Sequence, residues 1–120
     1  MDINEITYSI NGAVFEVNRI LGDGFLEKVY ENALALEVHQ RGLRAESQVP
    51  IHVYYKERIV GEYFADLVVE DQIIVEIKCV DEITSKHEAQ LLNYLKATKY
   101  PVGLLVNFTY PKAIIKRFKM

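Results

Sequence analysis

Ile73-Ile74-Val75-Glu76-Ile77-Lys78-Cys79-Val80 holds six apolar residues in eight, several of them β-branched, with no Gly or Pro, and so reads as a strand. Glu76 and Lys78 are the exceptions. Spaced by two, they project from one face of a pleated strand with Cα atoms about 7 Å apart, while Val75, Ile77 and Cys79 project from the other. A solvated outer face would account for the pair in a one-sided antiparallel sheet. Ile74 and Val80 argue against that, because they flank the charges on the same face. Charges on an apolar face cost several kcal/mol unless they have partners.

The nearest candidate partner lies upstream. Tyr63-Phe64-Ala65-Asp66-Leu67-Val68-Val69 is a second apolar strand with one acid, separated from the first by Glu70, Asp71 and Gln72. The two form a hairpin in one of two registers. If all three residues make the loop, Asp66 lies opposite Glu76 on the same face; a two-residue turn through Glu70 and Asp71 sends Asp66 to the other face. In the first register two carboxylates and an ammonium converge, a set suited to a hard divalent cation and a positioned water.

With 120 residues, half of them hydrophobic, the chain reads as a single domain over residues 1–120. No apolar run approaches the ~20 residues that span a bilayer. Met1-Asp2-Ile3-Asn4-Glu5 lacks the basic-then-apolar pattern of a signal peptide, so a cytoplasmic protein with no membrane partner is expected. Cys79 is the only cysteine, which excludes an intrachain disulfide, a thiolate zinc site and a cysteine-held iron–sulfur cluster within one chain. The net charge of −3 argues weakly against an anionic partner, but it is unevenly spread: residues 1–80 carry −7 and residues 81–120 carry +4. A local basic surface can therefore meet phosphate on an acidic whole.

Along the chain, Ile3 to Leu21 has the three-and-four apolar spacing of an amphipathic helix, and Phe25 to Gln40 resumes it after Leu21-Gly22-Asp23-Gly24. Glu27, Tyr30, Glu31 and Leu34 share a face of the second helix. With Gly24 as N-cap, Glu27 would be the third helical position, where an acid serves the helix terminus as readily as a site. Leu43 to Tyr55 is extended, with Pro50 suggesting an edge or a bulge. Lys56-Glu57-Arg58 turns the chain into Ile59–Val69, where Gly61 suggests a bulge. Ser85 and Glu88 have the form of a capping box opening a helix to about Thr98. On that helix His87, Gln90 and Tyr94 lie along one stripe; each is an ordinary surface residue or a phosphate contact, and His87 fits the second role better than that of metal ligand. Pro101 to Phe108 reads as a buried strand and Ala113 to Phe118 as a last strand, with a basic tail that suits a solvated edge.

The order ααβββαββ, with Asp66, nine intervening residues, then Glu76-Ile77-Lys78, resembles the PD-(D/E)XK nuclease superfamily. Gln90-x-x-x-Tyr94 is similar to the QxxxY motif of its RecB-like branch, and Glu27 to that branch's extra acid. Gly24-Phe25-Leu26-Glu27-Lys28-Val29-Tyr30 resembles the defining motif of the GxxExxY proteins. One departure is Ala65, which stands where the superfamily name has Pro. The resemblance implies an α/β (α+β) fold, a restriction-endonuclease-like core with a mixed sheet of about five strands flanked by helices. It implies Asp66, Glu76, the Ile77 carbonyl and Glu27 around Mg²⁺ or Mn²⁺, Lys78 at the attacking water, and Gln90, Tyr94, Tyr30 and His87 toward the substrate. The implied activity is phosphodiester hydrolysis of nucleic acid, with DNA as the expected partner and a homodimer as the implied assembly. The alternatives are a catalytically silent nucleic-acid-binding module and a protein-interaction module on the same fold.

Overall fold

The computed structural model describes residues 1–120. Its elements are α1 (Ile3–Leu21), α2 (Glu27–Gln40), β1 (Ala45–Tyr55), β2 (Arg58–Val69), β3 (Ile73–Lys78), α3 (Ser85–Thr98), β4 (Val102–Asn107) and β5 (Ile114–Lys119). This is the expected order, with α1 at its expected bounds. The strands form one sheet in the order β1-β2-β3-β4-β5, antiparallel except for the parallel pair β3–β4. Helix α3 makes the crossover that a parallel pair requires. β3 and β4 are buried along almost their whole length, as central strands covered on both faces must be.

The sheet separates two apolar layers. On one face α1 and α2 pack through Ile6, Ile10, Val14, Tyr30 and Leu34 onto Val75, Ile77, Leu104 and Val106. On the other, Leu91, Tyr94 and Leu95 of α3 pack onto Ile51, Ala65, Ile74 and Leu105. Gly103 permits that close approach: a Cβ there would stand 2.8 Å from Leu91 Cδ1, closer than packed carbons sit.

The hairpin takes the three-residue loop. Glu70 and Asp71 adopt φ of 53° and 57°, Gln72 N donates to the Val69 carbonyl at 3.0 Å, and Val69 pairs with Ile73, Val68 with Ile74 and Leu67 with Val75. This register brings Asp66 opposite Glu76. Pro50 sits on edge strand β1, and the irregularity expected near Gly61 falls beside it, where pairing passes from Val53↔Gly61 to Tyr54↔Ile59.

One feature of β1 and β2 breaks the period-two rule. Leu67 and Val69 face the α1/α2 layer, whereas Ala65, also odd-numbered, faces α3; on β1, Ala45 and Ile51 are divided in the same way. The reversal falls at Gln48 and Asp66, where the ladder passes from Ser47↔Leu67 to Val49↔Ala65 without a bridge between them. Gln48 has φ 53°, a left-handed conformation costing a residue with a Cβ about 1–2 kcal/mol.

Two helix starts differ from expectation. Helix α2 begins at Glu27 with Leu26 as N-cap, so Glu27 is the first helical residue. Helix α3 is capped by Thr84, which accepts from His87 N while His87 Nδ1 accepts from Thr84 N at 3.0 Å. The imidazole thus performs the part expected of Glu88, one residue earlier than the Ser85 box.

Candidate active site

The β2–β3 ladder stops at Leu67↔Val75, and two side chains take over its hydrogen bonds. Asp66 N donates to Glu76 Oε2 at 3.2 Å, and Ile77 N donates to Asp66 Oδ2 at 2.8 Å. Carboxylates that replace a ladder are held by the backbone in a fixed relation to each other. N–H and C=O of one strand residue point to the same edge, so the Ile77 carbonyl faces this opening too.

Burial dominates the electrostatics. Glu76 is 6% exposed, and its carboxyl is pushed up to about 9, first by that burial and then by the hydrogen bond and charge of Asp66; the Asp66 N–H and the Lys78 ammonium oppose the shift. At neutral pH Glu76 therefore holds a proton. Lys78 is half-buried and forms no ion pair within the chain. Its end of β3 is pinned: Phe108 N donates to the Lys78 carbonyl at 2.9 Å, and buried Asn107 both donates to the Val80 carbonyl and accepts from Val80 N.

A hard cation fits this donor set. Two facing carboxylates and a carbonyl are oxygen ligands, and a divalent ion in place of the Glu76 proton would let that acid ionise. Asp66, Glu76 and the Ile77 carbonyl would leave the remaining positions of a six-coordinate ion to water and substrate oxygens.

The third expected acid makes no direct contact with the pair. Glu27 is exposed and hydrogen-bonds to neither Asp66 nor Glu76. It lines a cleft with Cys79, Asp81 and Phe108, where its charge, after burial, helps push the Cys79 thiol up to about 11. That thiol stays protonated. The acid of α2 linked to Asp66, through a side chain of β1, is Glu31, one turn further on and 4% exposed. Gln48 Nε2 bridges Glu31 Oε1 at 2.9 Å and Asp66 Oδ1 at 3.4 Å, while Lys28 Nζ sits 2.7 Å from Glu31 Oε2. Gln48 and Asn107 carry no signal in the sequence; Glu31 carries only its place on the Glu27 face.

Among the expected substrate contacts, Gln90 and Tyr94 line a groove between α3 and the β1–β2 hairpin. The Tyr94 hydroxyl is pushed up to about 12 by burial and then by Glu76, Tyr63 and Asp66. Tyr30 and His87 are spent on structure. Tyr30 is fully buried and stacked on Phe108 at 4.3 Å, and its hydroxyl donates to the Gly22 carbonyl at 2.7 Å and accepts from Phe25 N. His87 caps α3.

A mixed sheet flanked by helices, with Asp66 facing Glu-x-Lys where two strands part, defines a nuclease-like α/β fold. The model of the PD-(D/E)XK nuclease superfamily matches residues 4–118, and the chain belongs to that superfamily. Among solved structures, an alkaline exonuclease from Laribacter hongkongensis is similar with a TM-score of 0.57 at 15% identity, over 91% of this chain and 68% of that one. SSO0001 is similar with a TM-score of 0.51 at 16% identity, over 97% of this chain and 62% of that one. No curated protein matches. No helix is long and apolar enough to cross a membrane.

Proposed function

We propose that the chain is a metal-dependent phosphodiesterase acting on nucleic acid, DNA foremost, in the RecB-like branch and among the GxxExxY proteins. The observation that carries this is the facing pair Asp66 and Glu76 at the parting of β2 and β3, with unpaired Lys78 two residues on. Asp66, Glu76 and the Ile77 carbonyl would hold Mg²⁺ or Mn²⁺, which supplies charge for the scissile phosphate and acidifies water. Lys78 holds the attacking water and offsets negative charge developing on phosphorus. Gln90 and Tyr94 position the substrate from α3, and Glu31, through Gln48, keeps Asp66 aimed. The exonuclease activity named for the Laribacter protein agrees with this reading.

The test is incubation of the purified chain with labelled DNA and RNA in Mg²⁺ or Mn²⁺. DNA cleavage is expected, abolished by EDTA and reduced on the order of 10²–10³-fold by Lys78→Ala. Activity that survives Lys78→Ala belongs to a contaminant, and no product from either polymer with either ion leaves the chain a binding module.

A further inference from the structure

The groove that takes in Gln90 and Tyr94 extends well beyond them. It measures about 810 Å³, and no acid lines it. Lys86, Asn93 and Lys96 lie seven and three residues apart along one stripe of α3, with Lys99 just past its end, and all four face this space. None of the three lysines forms an ion pair within the chain, although Lys116 nearby is bound to Glu88. The opposite wall is the hairpin. There Tyr63 keeps 47% of its surface exposed, its ring 5.5 Å from that of buried Tyr94.

We infer that this groove is a track for single-stranded nucleic acid, with phosphates on Lys86, Lys96 and Lys99 and a base stacked on Tyr63. The inference rests on the phosphodiesterase reading of the adjacent Asp66–Glu76 pair and adds to it the form of the substrate. A row of unpaired cations with an exposed aromatic ring is the combination that holds unpaired strands: phosphates meet the cations, and each base has a π face to offer the ring. In a duplex both faces of an internal base are already stacked on its neighbours, so Tyr63 would have nothing to cover. The site adjoins the track, since Tyr94 lines the groove and packs in one cluster with Ala65, the residue before Asp66.

The experiment is fluorescence anisotropy with labelled oligothymidylate, oligouridylate and a blunt duplex, on the full chain in EDTA, where binding is read without turnover. Single strands are expected to bind more tightly than the duplex. Tyr63→Ala should weaken single-strand binding by about 5- to 150-fold, whereas Tyr63→Phe keeps the ring and should keep the affinity. Replacing Lys96 and Lys99 together by Glu should flatten the dependence of log K on log salt by about 1.4; Lys112→Glu, outside the groove, should leave it unchanged. Equal affinity for duplex, or single-strand binding indifferent to both the Tyr63 and the lysine changes, overturns the track. The better of the two homopolymers assigns DNA or RNA, and either bound through Tyr63 supports the inference. Cleavage with unaltered binding by Tyr63→Ala would sink the track and spare the phosphodiesterase; binding as expected by a chain that cuts nothing would do the reverse.

Discussion

Glu76 places a carboxyl in the buried part of β3, and the fold accommodates it by keeping it protonated. Because its folded pKa of about 9 lies above the ordinary carboxylate value, its contribution to stability is fully present below about pH 4.3 and is lost as pH rises toward 9. The metal-free protein should therefore lose stability across that window, read as a falling Tm. Glu76→Gln mimics the protonated acid, so its Tm should stay level over the same range while cleavage falls on the order of 10²-fold or more. Gln48→Ala makes a different prediction. Alanine keeps the Cβ and so leaves the left-handed strain in place, while buried Glu31 loses its amide partner; the net cost should be about 1–3 kcal/mol in denaturant titration, with reduced cleavage as Asp66 loses its brace. Asp66, Glu76 and Lys78 were legible because a charge inside an apolar run has few explanations. Gln48 was not, since a glutamine on an edge strand looks like solvated surface. Glu27 and Glu31 share a helical face, and periodicity alone cannot say which one the next layer covers.

Helix α2 shows what its Gly24-to-Tyr30 motif does for the fold. Tyr30 ties the α1–α2 connection to the helix through Gly22 and Phe25 while its ring stacks on Phe108 beyond the end of β4. Tyr30→Phe keeps the stack and loses the hydroxyl, so thermal or urea unfolding should report a loss of about 1–2 kcal/mol with cleavage per folded molecule little changed. A large fall in kcat at unchanged stability would instead restore a substrate role to that residue. The helices and strands themselves were readable to within a few residues from their apolar spacing and from the turn residues between them. The termini were less so: Thr84 and His87 cap α3 with a less common pairing than Ser85 and Glu88 offered, and Leu26 opens α2 without any side-chain cap. The change of face at Gln48 and Asp66 was beyond sequence reasoning, because strict alternation is the premise by which strands are read.

The three layers meet where the acid pair lies, so occupancy of the pair should be felt by the entire chain. A divalent ion at about 100 times its Kd adds about 2.7 kcal/mol to folding, a Tm rise of roughly 8–12 °C for a chain of this length. EDTA should reverse it, and Asp66→Ala should abolish it in calorimetry. The face reversal also divides the molecule mechanically. Inside it, Ala45, Leu67 and Val69 belong to the cluster of 20 residues under α1 and α2; outside it, Ile51 and Ala65 rest on a cluster of 8 beneath α3. Amide protons of the distal hairpin should consequently exchange through a partial opening, well ahead of those in β3 and β4, which wait for global unfolding. The chain would thus breathe along one side only, loosening the groove proposed for single strands while the proposed active site keeps its shape.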